Sequence, residues 1–274
     1  CSVKQFCLIV MIMKSNYLPT VECVELLDIK VDLLTEQQLI GIAETAINTD
    51  RKIIISHHNL HSIYLFHHTP IMKYFYGISD YIFIDGMSII AIANLLKKKK
   101  ISRDCRITSV DWILPFFIRS LNSNWKIFYL GSKKEVIESG VQVWKKQYPG
   151  LQIDCAHGYF DHERNSFENR QTIERINDYQ PDILFVGMGM PLQERWIFEN
   201  HTDLNTHVIF PIGALVDYYA NAISTPPRLF SKYGFEWLFR LLDEPKRLWK
   251  RYLVEPWFIL ELMLREINRD QHPL

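Results

Sequence analysis

Four stretches of the 274-residue sequence combine residue types that could do chemistry. The first is Gly187-Met188-Gly189-Met190-Pro191-Leu192-Gln193-Glu194, which follows the apolar run at 182–186. A strand-type run that stops at two glycines and a proline puts polar groups where ligands of open α/β sheets bind, beyond the carboxyl ends of parallel strands. Gly187, Gly189, Gln193 and Glu194 are candidates on that ground; the alternative is a tight strand-to-helix turn with Gln193 and Glu194 solvated. The second is Asp85-Gly86, after the apolar run 81–84. A carboxylate there could act as a general base, bind a ribose or cap the next helix, and capping is the simplest use of an Asp in that place. The same holds for Asp111 and Asp217. The third is His57-His58-Asn59, read as a polar turn after the strand run 52–56. The fourth is a set of cations, Arg240, Lys246, Arg247, Lys250 and Arg251, among Leu241, Leu242, Leu248, Tyr252 and Leu253. Cations and aromatics so mixed suit a membrane interface or an anionic ligand, or else an ordinary packing helix with charged flanks.

Other chemistries are disfavoured. Gly187-x-Gly189 lacks the third glycine of a dinucleotide fingerprint, and no Walker loop, nucleophile elbow or H-E-x-x-H occurs. The histidines at 57, 58 and 61 and those at 157 and 162 lack an ordered ligand spacing, so no metal site is expected. Five scattered cysteines without a C-x-x-C pair argue against a disulfide framework and for a reducing compartment. Lys plus Arg equals Asp plus Glu at 31 each, so no global field advertises a nucleic-acid partner. The apolar run 6–13 is too short to cross a bilayer, which takes roughly 20 residues, and no signal-peptidase site follows it. The chain opens on Cys1, with Met11 and Met13 as alternative starts.

The elements that must position these residues alternate. A strand or hairpin at 24–34 is followed by Thr35-Glu36-Gln37-Gln38, a capping box opening a helix to 47. Strands are expected at 52–56, 81–84, 125–130, 152–156, 182–186 and 207–211, and helices at 70–76, 87–96, 133–147 and 168–179. Strands of about five residues alternating with helices of about a dozen predict βαβ units and a parallel sheet. Lys97 to Lys100 read as a solvated helix end. From Phe235 onward the chain reads as helical, with Pro256 breaking the helix before the apolar run 257–264.

Several segments together resemble the WecG/TagA/CpsF family of bacterial glycosyltransferases over about residues 52–256. They are Ile84-Asp85-Gly86, Arg106 with Asp111, His157-Gly158-Tyr159-Phe160, Pro181-Asp182-Ile183-Leu184, the stretch Gly187 to Trp196, and Glu236-Trp237-Leu238-Phe239-Arg240-Leu241 with Glu244-Pro245-Lys246-Arg247. The resemblance implies a Rossmann-like α/β domain, a parallel sheet flanked by helices, with a helical C-terminal appendage that completes the site and meets the membrane. We divide the chain as 1–20 (extension), 21–234 (α/β domain) and 235–274 (appendage). The resemblance further implies an inverting, metal-independent transfer of an N-acetylmannosamine-type or uronic-acid sugar. The donor would be a UDP-sugar and the acceptor a polyprenyl-diphosphate-linked saccharide, at the cytoplasmic face of the membrane, with a homo-oligomer allowed for. By position, Asp85 matches the base, Gln193 a residue contacting sugar or acceptor, and Arg106 a further site residue. Tyr159 and Asp217 match positions near the nucleotide, and Arg240, Arg247, Lys250 and Arg251 match cations that steady a diphosphate.

The sequence departs from the family pattern at His57-His58-Asn59, where a small residue precedes Pro-Asn, at Gly213-Ala214-Leu215-Val216-Asp217, and at Ala220-Asn221 with Thr225-Pro226-Pro227. The role of His57 is open, with His57 and Asn59 counted among the substrate-binding candidates. Two rivals remain: a non-catalytic nucleotide-sugar-binding or scaffold subunit, and a soluble α/β enzyme acting on a free nucleotide.

Overall fold

A computed structural model describes residues 18–96, 99–220, 222, 238, 241–242 and 244–271. The chain begins with an antiparallel hairpin, β1 (Cys23–Leu26) and β2 (Ile29–Asp32). Helix α1 (Glu36–Asn48) follows, opened by the expected capping box between Thr35 and Gln38. Then come β3 (Ile53–His58), α2 (Leu60–His68), α3 (Pro70–Ile78), β4 (Tyr81–Ile84) and α4 (Met87–Leu95). The next elements are α5 (Ser109–Ser123), β5 (Lys126–Gly131), α6 (Lys134–Gln147), β6 (Gln152–Ala156) and α7 (Phe167–Tyr179). The α/β part closes with β7 (Ile183–Gly187), α8 (Leu192–Asn200), β8 (Val208–Pro211) and the short α9 (Leu215–Tyr219). Beyond it lie α10 (Pro245–Trp249), a π-helical turn at Lys250–Val254 and α11 (Glu255–Gln271).

Six strands form one parallel sheet in the order β4-β3-β8-β7-β5-β6. A parallel sheet is covered on both faces, so its strands are apolar throughout, and Ile183–Gly187 and Tyr81–Ile84 are buried at every residue. The two-residue strand period then divides the core. Tyr129, Phe185 and Phe210 face Trp112, Phe116 and Trp144 on one side, while Phe128, Leu184, Val186 and Ile209 face Phe75 and Trp196 on the other. The sheet flanked by helices is the architecture expected from the alternating pattern.

The appendage docks on the hairpin. Ile259, Leu262 and Met263 share a buried cluster with Leu26, Ile29, Val31, Ile63 and Ile89. The opposite stripe of the same helical stretch, Trp249, Leu253, Trp257, Leu260 and Leu264, is exposed. Two apolar stripes on one helix explain why the sequence there reads as apolar all round. No helix among the described residues is long and apolar enough to cross a membrane.

Three local expectations change. Strand β3 runs two residues further, so His57 and His58 are buried strand residues and only Asn59 remains to make the turn. Asn59 caps α2, a helix absent from the sequence reading, through a capping box with Ser62; α5 is likewise new. Pro256 does not break the helix but sits in the first turn of α11, where a proline is tolerated.

Candidate active site

All six parallel strands end at one edge of the sheet, and most of the candidate residues gather there. Asp85 follows β4 directly, its backbone N–H donating to the His58 carbonyl at 2.9 Å. Its side chain is not the cap of α4: Gly86, at φ 103°, occupies that position with no side-chain cap. The carboxylate is instead held from behind. Asn59 Nδ2 donates to Asp85 Oδ2 at 3.2 Å, and His57 Nε2 lies 3.8 Å from the same oxygen. Oδ1 has no hydrogen-bond partner among the described residues, and the side chain is 29% exposed. The arrangement is a partly exposed carboxylate anchored through one oxygen, with the other not engaged by the described residues, a form that suits a general base.

Asn59 can do this because the cap of α2 fixes its other groups. Its Oδ1 accepts from Ser62 N, and its N–H donates to Ser62 Oγ. His58, on the opposite face of β3, packs tilted against Tyr76 at 3.9 Å between ring centroids and shares a hydrogen bond with Ser62. Burial pushes the His57 imidazole below its ordinary pKa, against the pull of Asp85, and pushes His58 well below it. Both rings are therefore held neutral near pH 7.

On the far side of the switch in strand order, backbone packs on backbone. A Cβ on Gly131 would overlap the Gly187 carbonyl, and one on Gly187 would lie 2.6 Å from the Gly213 carbonyl oxygen. Gly187 is thus required by packing, whereas Gly189, at φ 82° with open space around it, is required by its turn. Gln193 ties this region together. It has no exposed surface; its Oε1 accepts from the N–H groups of Gly189 and Gly213, each at 3.1 Å, and its Nε2 donates to Glu194 Oε1 at 2.8 Å. The structure therefore makes Gln193 a brace for two strand-end loops: its carbonyl oxygen and one amide hydrogen are engaged there, and the side chain has no exposed surface as a sugar contact would. Nor are Gln193 and Glu194 solvated first-turn residues, since both are fully buried. Burial raises the Glu194 carboxyl to about 7, and its Oε2 has no hydrogen-bond partner among the described residues.

Arg106 stands next to Asp85 along the edge, its residue bridging to Ile84, and its guanidinium pairs with Asp111 at 3.0 Å. Asp217 accepts from Ser132 Oγ at 2.8 Å, joining the end of β5 to α9. Tyr159 is 67% exposed on the loop after β6, at the sheet margin opposite Asp85. Five strand spacings separate those two margins, roughly 24 Å, so Tyr159 and Asp85 do not adjoin one another. In the appendage, Arg251 lies close enough for its charge to act on His57, and His61 bonds Glu255 of α11 at 2.9 Å. Lys250 is exposed. Arg240 and the side chain of Arg247 lie outside the described residues, as do Lys97, Lys98 and the boundary expected at 235. Among the described residues there is no group of three or more His, Cys, Asp or Glu gathered as a metal site. Sequence reasoning missed Ser132 and Tyr76 as parts of this edge; the Gly131-Ser132 pair after a strand was the visible signal for the first.

A sequence model of the glycosyl transferase WecG/TagA/CpsF family matches residues 24–272. The chain belongs to this family. Among curated proteins similar to this WecG/TagA/CpsF chain are those of Staphylococcus aureus strains NCTC 8325 / PS 47, COL and MSSA476, each named N-acetylglucosaminyldiphosphoundecaprenol N-acetyl-beta-D-mannosaminyltransferase. Each is 31% identical over 170 residues, covering 62% of this chain and 64% of the relative. The chain thus spans about 64% of the length of these relatives.

Proposed function

We propose that the protein is an inverting glycosyltransferase. It moves an N-acetylmannosamine-type sugar from a UDP-sugar to a polyprenyl-diphosphate-linked saccharide, without a metal ion, in building a surface polysaccharide. The observation that carries this reading is Asp85: anchored at Oδ2 by Asn59 and open at Oδ1, at the carboxyl edge of a parallel sheet, in a chain of this family. Oδ1 takes the proton of the acceptor hydroxyl as its oxygen attacks the anomeric carbon, and the bond to the diphosphate breaks on the opposite face. The nucleotide end lies over Gly187, Ser132 and Asp217, about three strand spacings or roughly 14 Å from Asp85, a span suited to an extended nucleotide-sugar. Negative charge growing on the leaving diphosphate is met by appendage cations, of which Arg251 is already near the His57 end of the crevice.

The acceptor's lipid tail calls for a surface, and the exposed stripe Trp249, Leu253, Trp257, Leu260 and Leu264 beside Lys250 is the face that meets it. We read the protein as peripheral to the cell membrane, at its inner side, a reading to which that face lends support. The deciding experiment is transfer from UDP-N-acetylmannosamine to an N-acetylglucosaminyl-diphospho-lipid, read by mass spectrometry. Asp85→Asn is expected to lower kcat by about 100-fold or more; full retention of transfer would remove Asp85 as base. UDP binding by calorimetry with no turnover on any lipid acceptor would favour the non-catalytic subunit instead.

A further inference from the structure

Behind the open carboxylate stands a buried imidazole that the reaction as described does not use. Strands β3 and β4 pair with His57 opposite Phe83, so the two-residue period puts Phe83 and Asp85 on the His57 side of the sheet. The His57 and Phe83 rings lie 5.4 Å apart, and His57 Nε2 faces Asp85 Oδ2 at 3.8 Å. Pro211 of β8 lies close enough to favour the charged imidazole, and Tyr76 Oη donates to the His57 backbone carbonyl at 2.9 Å. The backbone is thus held by Tyr76 and the ring packs on Phe83, with Nε2 toward the one oxygen of Asp85 that Asn59 also holds.

We propose that His57 is a positioning residue for Asp85: when neutral it backs the Oδ2 side so that Oδ1 faces the crevice, and when protonated it pairs with the carboxylate and takes the base out of use. This rests on the reading of Asp85 as the base. Among the described residues the charged and titratable groups acting on His57 are Asp85, which favours its protonated form, and Arg251 and His58, which oppose it. Burial opposes it more than either. The imidazole is thus neutral, and Asp85 available, at neutral and alkaline pH; protonation as the pH falls below the ordinary imidazole range closes the base. A histidine with only a packing role would leave the acid side of the pH profile to other groups.

Two measurements test it on the full chain. First, the His57 ring is titrated by NMR in the parent and in Asp85→Asn. Loss of the facing carboxylate is expected to lower the His57 midpoint by about one pH unit, and an unchanged midpoint would overturn the proposal. Second, the pH dependence of kcat for the transfer above is compared between the parent and His57→Gln. The variant is expected to lose about threefold to tenfold in kcat at pH 8. Its acid limb should move down by about one pH unit, because carboxylates titrate below imidazoles; an acid limb that stays where the parent's lies overturns the pairing. The NMR measurement stands even where His57→Gln fails to fold. If Asp85→Asn keeps full transfer, the reading of the base falls; if it is inactive while the His57 midpoint ignores it, only the role of His57 falls.

Discussion

Glu194 offers a prediction whose size follows from its surroundings. The side chain has no exposed surface, one carboxyl oxygen accepts from Gln193 Nε2, and the other has no hydrogen-bond partner among the described residues. Burial raises its pKa from an ordinary 4.5 to about 7, outweighing the hydrogen bonds that favour the charged form. Between those two pH values the folded protein holds one proton more than the unfolded chain. Stability from this group is therefore complete below pH 4.5 and is lost as the pH rises through about 7. At about 1.4 kcal/mol per pH unit the loss amounts to about 3 kcal/mol. Glu194→Gln keeps the shape and the acceptor for Gln193 but cannot ionise. Chemical denaturation of both proteins at intervals from pH 4.5 to 8 should show the variant gaining on the parent as pH rises, by about 3 kcal/mol across the range. Taking the difference cancels the histidines, which titrate in both. A difference constant to within about 0.5 kcal/mol would mean that Glu194 is not kept neutral by burial, and the argument would be wrong.

Three further outcomes follow from single contacts. Asn59→Ala removes both the cap of α2 and the donor to Asp85 Oδ2; it should cost about 1 kcal/mol in denaturation and lower kcat more than it changes KM. Gly131→Ala drives a methyl group into the Gly187 carbonyl, where both neighbours are backbone; a drop in Tm of several degrees, corresponding to a loss of about 1–3 kcal/mol, is expected by calorimetry. Trp257→Glu alters a side chain that is 71% exposed on the outer stripe of α11; flotation with vesicles containing anionic lipid should show weaker binding, with Tm unchanged to within about a degree.

Much of the site's frame is legible in the sequence because parallel strands announce themselves. Continuous apolar runs that stop at Asp85-Gly86, Gly131-Ser132 and Gly187-x-Gly189 mark where each strand ends, and in a parallel sheet every such end falls on the same edge. The capping box at Thr35 is as local and as readable. Helix α2 is hidden because its residues, LHSIYLFHH, mix aromatic and histidine side chains without a clear apolar stripe, and α5 because Pro115 lies inside it.

The sequence by itself determined the order of most elements, the carboxyl edge where the candidate residues gather and the family to which the chain belongs. Tertiary structure alone decided what each polar group is free to do. Gln193 reads as a working residue until the folded chain brings Gly189 and Gly213 to within hydrogen-bonding distance of its amide. His57 reads as a turn residue until β4 and β8 pair on either side of β3 and turn it toward Asp85. A side chain's partners come from strands distant in sequence, and hydrogen-bonding capacity, once satisfied by them, is no longer available to a ligand.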